Sequence, residues 1–478
     1  MSGEGGAGAS GWPEDRARRW GVRALYAVLG AAAIYVLVRN MDGSGDYRNF
    51  LPFGHAALAG QIPYLEAVEE AWLPGVSEWA TWPPSFAPLA ALLARLDATA
   101  GTAATVALWQ AANLAGLGLV LATFVRWLHG RRLSLRPGPG RMPLYALPAL
   151  VGILVPARVL LGNFEHSQSN LLFLGLAVAA FALFRRGRRW GGGAALGLAT
   201  AFKGTPLLAL PYLAWRGRWR DLAAALGGCL LTWGLLPALT VGPAGLVRWY
   251  REWWRHTAEL HLPTAPMNQS LQATLTRLAA PGGTEVAPPQ GRLLGGYGAE
   301  PWTLAALAAL ALGTALAFGR PFREVPARRE ALELGVVLTL MGLVSPFAWK
   351  FHFVGMSALA LALYAALPAA AARAASAAPG ARPDSPTAED RPASPSPERT
   401  AGAGEAPDLP GGVPILRDGP ARAVAAVLVA VALAVNLSAT GIVGGGPADA
   451  LERWGVVTWP AAALVVAGLA VLARGRRG

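Results

Sequence analysis

The sequence predicts an all-α polytopic membrane protein, and three observations support this fold class. Nine apolar residue types make up 54% of the 478 residues and charged residues only 14%, whereas about 25% of the residues of soluble domains are charged. Apolar stretches long enough to cross about 30 Å of hydrocarbon recur along the chain. Arginine-rich segments separate many of these stretches. A water-soluble enzyme is therefore strongly disfavoured.

Ten segments are predicted to cross the membrane in full, because each is a mostly apolar run between more polar residues. They are residues 22–39, 102–124, 144–161, 170–184, 221–241, 302–319, 331–344, 353–370, 421–441 and 456–473. The first follows several arginines, has no clear cleavage site and is too long for the core of a typical signal sequence. It is predicted to be a retained anchor.

The placement of arginine predicts the orientation of these segments. Basic clusters lie within residues 126–141, 185–189, 216–220, 320–329 and 474–477, and all five can face the cytoplasm. Because clusters flank residues 190–214 on both sides, we predict a hairpin of two short helices there, broken near Gly204-Thr205-Pro206. Both termini are then cytoplasmic. The arginines that give the net charge of +13 are explained by the orientation of the segments in the membrane. No nucleic-acid partner is therefore predicted.

Composition divides the chain into three parts. Residues 1–371 form the membrane core, and residues 421–478 contribute two C-terminal transmembrane helices. Between them, residues 372–420 are rich in Pro and Ala and poor in large apolar side chains, so they are predicted to be a disordered cytoplasmic linker. The single cysteine, Cys229, excludes a disulfide framework and a cysteine-ligated zinc site.

Unusual polar residues concentrate in the segments predicted to lie at the outer face. Asp46 follows the first crossing and begins a stretch with helical apolar spacing, which predicts an interfacial helix. Asp46 is a candidate catalytic carboxylate, although it could simply cap that helix. The turn 162–170 contains Gln168 and Asn170, and it is either an ordinary polar loop or a site that binds a sugar or phosphate.

Further candidates for binding a sugar or phosphate follow later in the chain. Two arginines lie among tryptophans that would also suit the headgroup region, two amides follow them, and a lysine and a histidine lie at an outer membrane boundary. They are Arg251 and Arg255, Asn268 and Gln269, and Lys350 and His352. Boundary lysines are often only anchors.

The chain has only two lysines. One is Lys350, and the other is Lys203, which lies just before the predicted break of the hairpin. A lysine in a chain that otherwise uses arginine is informative, but a hairpin entered from the cytoplasm would let it reach the cytoplasmic surface. We therefore predict that Lys203 lies toward that face with a structural or lipid-contact role.

Several signatures are missing from the sequence. There is no Walker A loop, no dinucleotide-binding glycine pattern, no histidine pair at zinc spacing and no Asp-x-Asp pair. We therefore predict neither a metal nor a cofactor. The predicted spans also lack the repeated Asp and Glu of a proton-coupled carrier.

Short motifs spread over residues 46–356 resemble those of glycosyltransferase family 87, which uses polyprenyl-phosphate sugars. They are Asp46-Tyr47, Gly60-Gln61-Ile62-Pro63-Tyr64, Trp82-Pro83-Pro84, Gln168-Ser169-Asn170, Phe202-Lys203-Gly204-Thr205-Pro206, Asn268-Gln269-Ser270-Leu271 and Ser345-Pro346 with Trp349 and His352. The resemblance implies a C-type glycosyltransferase fold and an active site at the outer face of the plasma membrane. It also implies inverting transfer, with Asp46 at the position of the general base. Family members often show two adjacent histidines where Phe351 precedes His352 here.

This resemblance and the residue inventory predict a metal-independent transferase that moves a sugar, typically mannose, from a polyprenyl-phosphate donor to an envelope lipid or glycan. One carboxylate suffices as base in such a displacement, and cationic groups can stabilise the departing phosphate. Membrane lipids are the remaining expected partners. The alternative is a flippase or transporter of lipid-linked sugars, and a third possibility is an assembly scaffold for envelope biogenesis.

Overall fold

The protein is described by a computed structural model that covers residues 12–38, 41–43, 45–62, 82–259, 267–279, 301–367, 418–438 and 440–475. The first half of these residues is helical apart from one small sheet, in which β1 (Arg132–Ser134) and β2 (Arg141–Pro143) pair in parallel. Its helices are α1 (Trp12–Val38), α2 (Tyr47–Leu58), α3 (Ala87–Ala100), α4 (Thr102–His129), α5 (Leu147–Leu154), α6 (Ala157–Glu165), α7 (Asn170–Arg185), α8 (Arg189–Phe202) and α9 (Ala209–Trp215).

The second half is also helical, so the predicted all-α class is confirmed. Its helices are α10 (Trp219–Cys229), α11 (Leu236–Glu259), α12 (Leu271–Ala279), α13 (Pro301–Phe318), α14 (Ala327–Val344), α15 (Met356–Ala365), α16 (Asp418–Leu437), α17 (Thr440–Val443), α18 (Gly445–Arg453) and α19 (Thr458–Arg474). The predicted linker 372–420 lies outside the described residues as far as residue 417, and its last three residues begin α16.

Each of the ten predicted crossings overlaps at least one helix among the described residues. Among the described residues, three helices are long and apolar enough to span a membrane alone, namely Thr102–His129, Trp219–His256 and Gly419–Leu437. Two bent pairs of helices, α5 with α6 and α18 with α19, would bring that number to five. The protein is thus a helical membrane protein, while the count of ten crossings stays a prediction.

The predicted hairpin is present. Helix α8 ends at Phe202, a 3₁₀ turn spans Thr205–Leu208, and α9 returns the chain. Helix α8 packs so closely on α10 that a Cβ atom on Gly228 would lie 2.0 Å from the carbonyl oxygen of Gly193. Only residues without a side chain allow this crossing, as in many membrane helix pairs. The two helices therefore pack backbone to backbone at this crossing.

Three of the basic clusters predicted to share a side meet at one end of the bundle. Two acidic residues of α14 bind them there: Glu330 pairs with Arg185 and with Arg218, at 2.5 Å from the latter, and Glu333 pairs with Arg216 and with Arg329. These contacts join the base of the hairpin to α7 and α14. Since the 14 residues of α8 rise about 21 Å, the tip of the hairpin lies far from this basic end.

Helix α2 is held by aromatic packing. Its residues Phe50 and Phe53 are fully buried, and the Phe50 ring lies 5.1 Å from Phe86 and 5.2 Å from Trp109, as measured between centroids. Edge contacts of this kind add to the stabilisation from burial alone. The predicted helix after residue 46 is thus confirmed, and its fixed position also fixes Asp46, which precedes its first residue.

Candidate active site

The backbone around Asp46 is tied to the turn that follows α6. The Asp46 N–H donates to the carbonyl oxygen of His166 at 2.9 Å. Gly45 has a φ of +73°, and a Cβ there would lie 2.5 Å from the same oxygen, so glycine is required at this close approach. The Asp46 carboxylate makes no capping hydrogen bond to α2. Instead it accepts from Nε2 of Gln168, and the capping interpretation is wrong.

The polar turn 163–170 is held by buried hydrogen bonds. Oδ1 of Asn163 accepts from the N–H of Asn170 at 3.1 Å, and Trp109 Nε1 donates to the carbonyl oxygen of Ser167 at 2.9 Å. Ser167 adopts a positive φ of 47°, which an L-residue keeps only when its surroundings enforce it. The turn therefore presents the Gln168 and Asn170 amides in a fixed arrangement.

Lys203 lies at the tip of the hairpin and joins these amides. Its Nζ is 2.9 Å from Oδ1 of Asn170, 3.2 Å from Oε1 of Gln168 and 2.7 Å from Nε2 of His352. The prediction that Lys203 lies toward the cytoplasmic face, apart from the outer polar residues, is wrong. The base of the hairpin lies at the basic end and the 14 residues of α8 rise about 21 Å, so its tip lies well away from the basic clusters.

His352 is carried by the loop between α14 and α15. The imidazole Nδ1 lies 3.3 Å from the backbone nitrogen of Trp349, and Nε2 points to Lys203. The loop itself is braced by Asn268, whose Oδ1 accepts from the N–H of Ala348 at 3.1 Å. The backbone N–H of Gln269 donates to the Ala348 carbonyl at 2.6 Å. These contacts fix the loop beside the hairpin tip.

A cavity of about 520 Å³ opens among these elements. One part of its wall is polar, and it holds Asp46, Asn49, Gln168, Lys203, Ser345 and His352. The rest is mostly apolar, with tryptophan, phenylalanine and aliphatic side chains such as Phe202, Leu208, Trp253, Leu338 and Met341. A charged group beside an extended apolar wall suits an amphiphilic ligand with a polar head and a hydrocarbon chain.

The cavity wall sets the protonation of Asp46. Burial raises the pKa of Asp46 to about 6, while the Lys203 charge and the Gln168 hydrogen bond act in the opposite direction. The Asp46 carboxyl is therefore mostly ionised at neutral pH, and its pKa is close enough to that pH for the group to exchange a proton readily. Asp46 is the one carboxylate among the described residues that line the cavity.

Not every predicted site residue reaches this cavity. Lys350 is drawn away from it by an ion pair with Glu452, with Nζ 2.6 Å from Oε1. Arg251 is exposed on α11, and Arg255 pairs with Glu252 at 2.9 Å on the same helix. On this helix Trp249 is fully buried and Trp253 lines the cavity, whereas neither arginine lines it.

The two predicted amides bind protein instead of lining the cavity. Asn268 bridges backbone groups of the loop before His352, and Gln269 donates to the carbonyl oxygen of Glu452 at 2.7 Å. Both side chains are almost fully buried. They stand behind the cavity wall, so direct contact of either amide with a ligand is not supported by this geometry.

Three residues of the polar wall, Lys203, Asn49 and Ser345, were not among the predicted site residues. Lys203 was placed at the wrong end, although its rarity in this chain was a signal. Asn49 follows Asp46 by three residues, which puts both on one face of a helix start, and that spacing is visible in the sequence. Among the described residues no group of three or more His, Cys, Asp or Glu side chains is placed to hold a metal ion.

A model of glycosyltransferase family 87 matches residues 80–346, more than half of the chain. The chain belongs to this family. The predicted glycosyltransferase activity and the resemblance seen in the motifs are thereby confirmed. The match contains Gln168, Asn170 and Lys203 of this family 87 enzyme, whereas Asp46 precedes it and His352 follows it. The parts assigned to Asp46 and His352 depend on the geometry of the cavity.

Two mycobacterial proteins are similar to this family 87 enzyme. Both are named polyprenol-phosphate-mannose-dependent alpha-(1-2)-phosphatidylinositol mannoside mannosyltransferase. The protein of Mycolicibacterium smegmatis is 29% identical over 343 residues, which cover 63% of this chain and 69% of the relative. The protein of Mycobacterium tuberculosis is 28% identical over 364 residues, covering 70% and 78%. No solved structure matches the chain.

Proposed function

We propose that this enzyme transfers mannose from a polyprenyl-phosphate donor to a hydroxyl group of an envelope lipid or glycan at the outer face of the plasma membrane. One observation carries the proposal: the Asp46 carboxylate and the Lys203 ammonium share the polar end of a cavity whose other walls are apolar. The names of the two relatives supply the donor, polyprenol-phosphate mannose. They also favour a lipid acceptor over a glycan.

The cavity suits the parts of such a donor. The isoprenoid chain lies against the apolar wall near Leu208, Leu338 and Met341. Its phosphate meets the Lys203 ammonium and the His352 imidazole, whose nitrogens lie 2.7 Å apart. A cation held in a poorly hydrated pocket interacts strongly with an anion. The amides of Gln168 and Asn170 then hold Lys203 in place and leave the mannose near Asp46.

The reaction is a single displacement with inversion. Asp46 accepts the proton of the acceptor hydroxyl while that oxygen forms a bond to the anomeric carbon. The bond between the anomeric carbon and the phosphate oxygen breaks, and polyprenyl phosphate leaves with the electron pair. Lys203 stabilises the negative charge that grows on the phosphate. Asp46 is the one carboxylate among the described residues of the cavity wall, so those residues offer no second carboxylate as a nucleophile for a covalent sugar intermediate.

The position of the cavity supports action at the outer face. The hairpin carries Lys203 at one end, and its other end joins the arginine clusters through Glu330 and Glu333. Since short basic segments remain in the cytoplasm, the cavity lies toward the opposite side. A donor displayed in the outer leaflet can enter it without crossing the membrane.

The test uses purified enzyme in lipid nanodiscs, with radiolabelled polyprenyl-phosphate mannose and a lipid extract as the acceptor. Asp46→Asn should lower turnover at least about 100-fold while donor binding is retained, because a positioned base contributes about 10² to 10⁴ in rate. Asp97→Asn is the matched control, since Asp97 accepts from Thr105 at 3.0 Å and does not line the cavity. In proteoliposomes made with the same enzyme, label that crosses the membrane without forming a glycosidic bond would instead indicate a transporter.

A further inference from the structure

Helices α18 and α19 lie beyond residue 346, where the family match ends, yet they contact the segment that braces the cavity wall. This segment is residues 268–277, which begins with Asn268 and Gln269 and continues into α12. Near it, α18 and α19 meet at Gly455, which has a φ of +77°. A Cβ on Gly455 would lie 2.5 Å from Cγ2 of Thr274. The junction of α18 and α19 is thus fitted against α12.

Gln269 is the centre of this contact. Its side-chain amide donates to the Glu452 carbonyl at 2.7 Å, and its side-chain oxygen accepts from the N–H of Val457 at 3.3 Å. Thr458 donates its hydroxyl to the Gln269 carbonyl oxygen at 2.7 Å. Both the side chain and the backbone of Gln269 are therefore held by the C-terminal helices. Gln269 and Thr458 are fully buried, which makes these hydrogen bonds costly to lose.

The same residue also holds the loop that carries His352. The Gln269 N–H donates to the Ala348 carbonyl at 2.6 Å, and the neighbouring Asn268 pairs with Trp349 in a β-bridge. Trp349 and His352 line the cavity. Next to them, Lys350 forms its ion pair with Glu452 of α18. Two separate contacts thus connect the C-terminal helices to the loop.

We propose that the C-terminal helices position the His352 loop, and that Gln269 and Thr458 are positioning residues for the donor end of the cavity. In this arrangement α18 and α19 hold Gln269, Gln269 holds Ala348, and the loop then presents His352 to Lys203. Neither positioning residue touches the donor. The functional part of this inference rests on the proposed donor, whereas the structural part stands without it.

Thr458→Val tests the contact with little change of volume, because it removes the hydroxyl that binds Gln269 and Thr274. A displaced His352 loop should raise KM for polyprenyl-phosphate mannose about tenfold or more. The acid limb of the pH profile should stay in place, because Asp46 is untouched. Gln269→Ala should act in the same direction, since it removes the side chain that binds the Glu452 carbonyl and the Val457 N–H at the other end of the same contact.

Asn436→Ala is the matched control. Asn436 of α16 donates to the Leu154 carbonyl at 2.9 Å and accepts from the Arg158 N–H at 2.8 Å. It therefore joins the C-terminal helices to the core at a site away from the cavity. It should lower the melting temperature and leave KM for the donor unchanged. If Thr458→Val lowers kcat alone, as a smaller folded fraction would, the proposal is overturned.

Hydrogen exchange tests the same inference without any transfer. In Thr458→Val and Gln269→Ala, the backbone amides of residues 345–352 should exchange at least about tenfold faster, because a brace of the loop has been weakened. Asn436→Ala should not change them. Unchanged exchange in both variants would overturn the positioning role. A wild-type enzyme that binds no polyprenyl-phosphate mannose would overturn the proposed function and leave this measurement intact.

Discussion

Acidifying the assay is expected to titrate Asp46 and to slow transfer at a pH well above the range of an ordinary carboxyl group. Burial raises the pKa of Asp46 to about 6. With that value, about 97% of the carboxyl is ionised at about pH 7.5 and about 9% at about pH 5. Since a general base acts only in its deprotonated form, kcat/KM should fall about tenfold between these two pH values.

Transfer of labelled mannose, followed from about pH 4.5 to about pH 8.5, gives the midpoint of this acid limb. The donor phosphodiester does not titrate in this range. Lys203→Met removes the cation that lowers the pKa of Asp46, so the midpoint of its residual activity should move to higher pH. Asp97→Asn should leave the midpoint unchanged. A wild-type midpoint near 4, or an unshifted midpoint in Lys203→Met, would refute the role of Asp46.

Three further outcomes concern stability. Because burial raises the pKa of Asp46, the folded protein binds the carboxyl proton more tightly than the unfolded chain does. The stability of the folded state therefore falls as pH rises from about 4 to about 6. Asp46→Asn should melt at a higher temperature than the wild type at about pH 7.5 and at a similar temperature at about pH 4. Gly228→Ala places a methyl group 2.0 Å from the Gly193 oxygen and should cost about 1–3 kcal/mol, measured by denaturant or thermal unfolding in detergent. Glu333→Gln leaves Arg216 buried without its carboxylate and should cost about 3–5 kcal/mol in the same assay.

The order of helices was predictable from the sequence, because apolar runs and arginine clusters leave strong local signals. The hairpin was predictable for the same reason, since basic residues flank both of its ends. The position of its tip was not, because Lys203 meets Gln168, Asn170 and His352. These partners lie 33 to 149 residues away in the chain, so no local pattern indicates them.

Many residues of the candidate site were predictable from the sequence, but the directions in which their side chains point were less so. Gln168 and Asn170 belong to a short turn between two spans, so the turn alone brings both near the outer end. Lys350 and His352 are two residues apart in the chain, yet one binds Glu452 and the other faces Lys203. Nothing local distinguishes them, because the partner of Lys350 comes from a helix about 100 residues later in the chain.

The buried charged groups at the two ends of the molecule have different kinds of hydrogen-bonding partners. At the basic end, Glu330 is shared between two arginines, so the opposite charges satisfy one another within the protein. At the cavity, the groups within hydrogen-bond distance of Lys203 are the uncharged amides of Gln168 and Asn170 and the His352 ring, and the Asp46 charge acts on it without a direct ion pair. Amide dipoles solvate an ammonium less well than water does, and placing the charge beside an apolar wall is costly. An anion that enters the cavity recovers part of that cost, which explains why a phosphate-linked donor suits this site better than a neutral sugar.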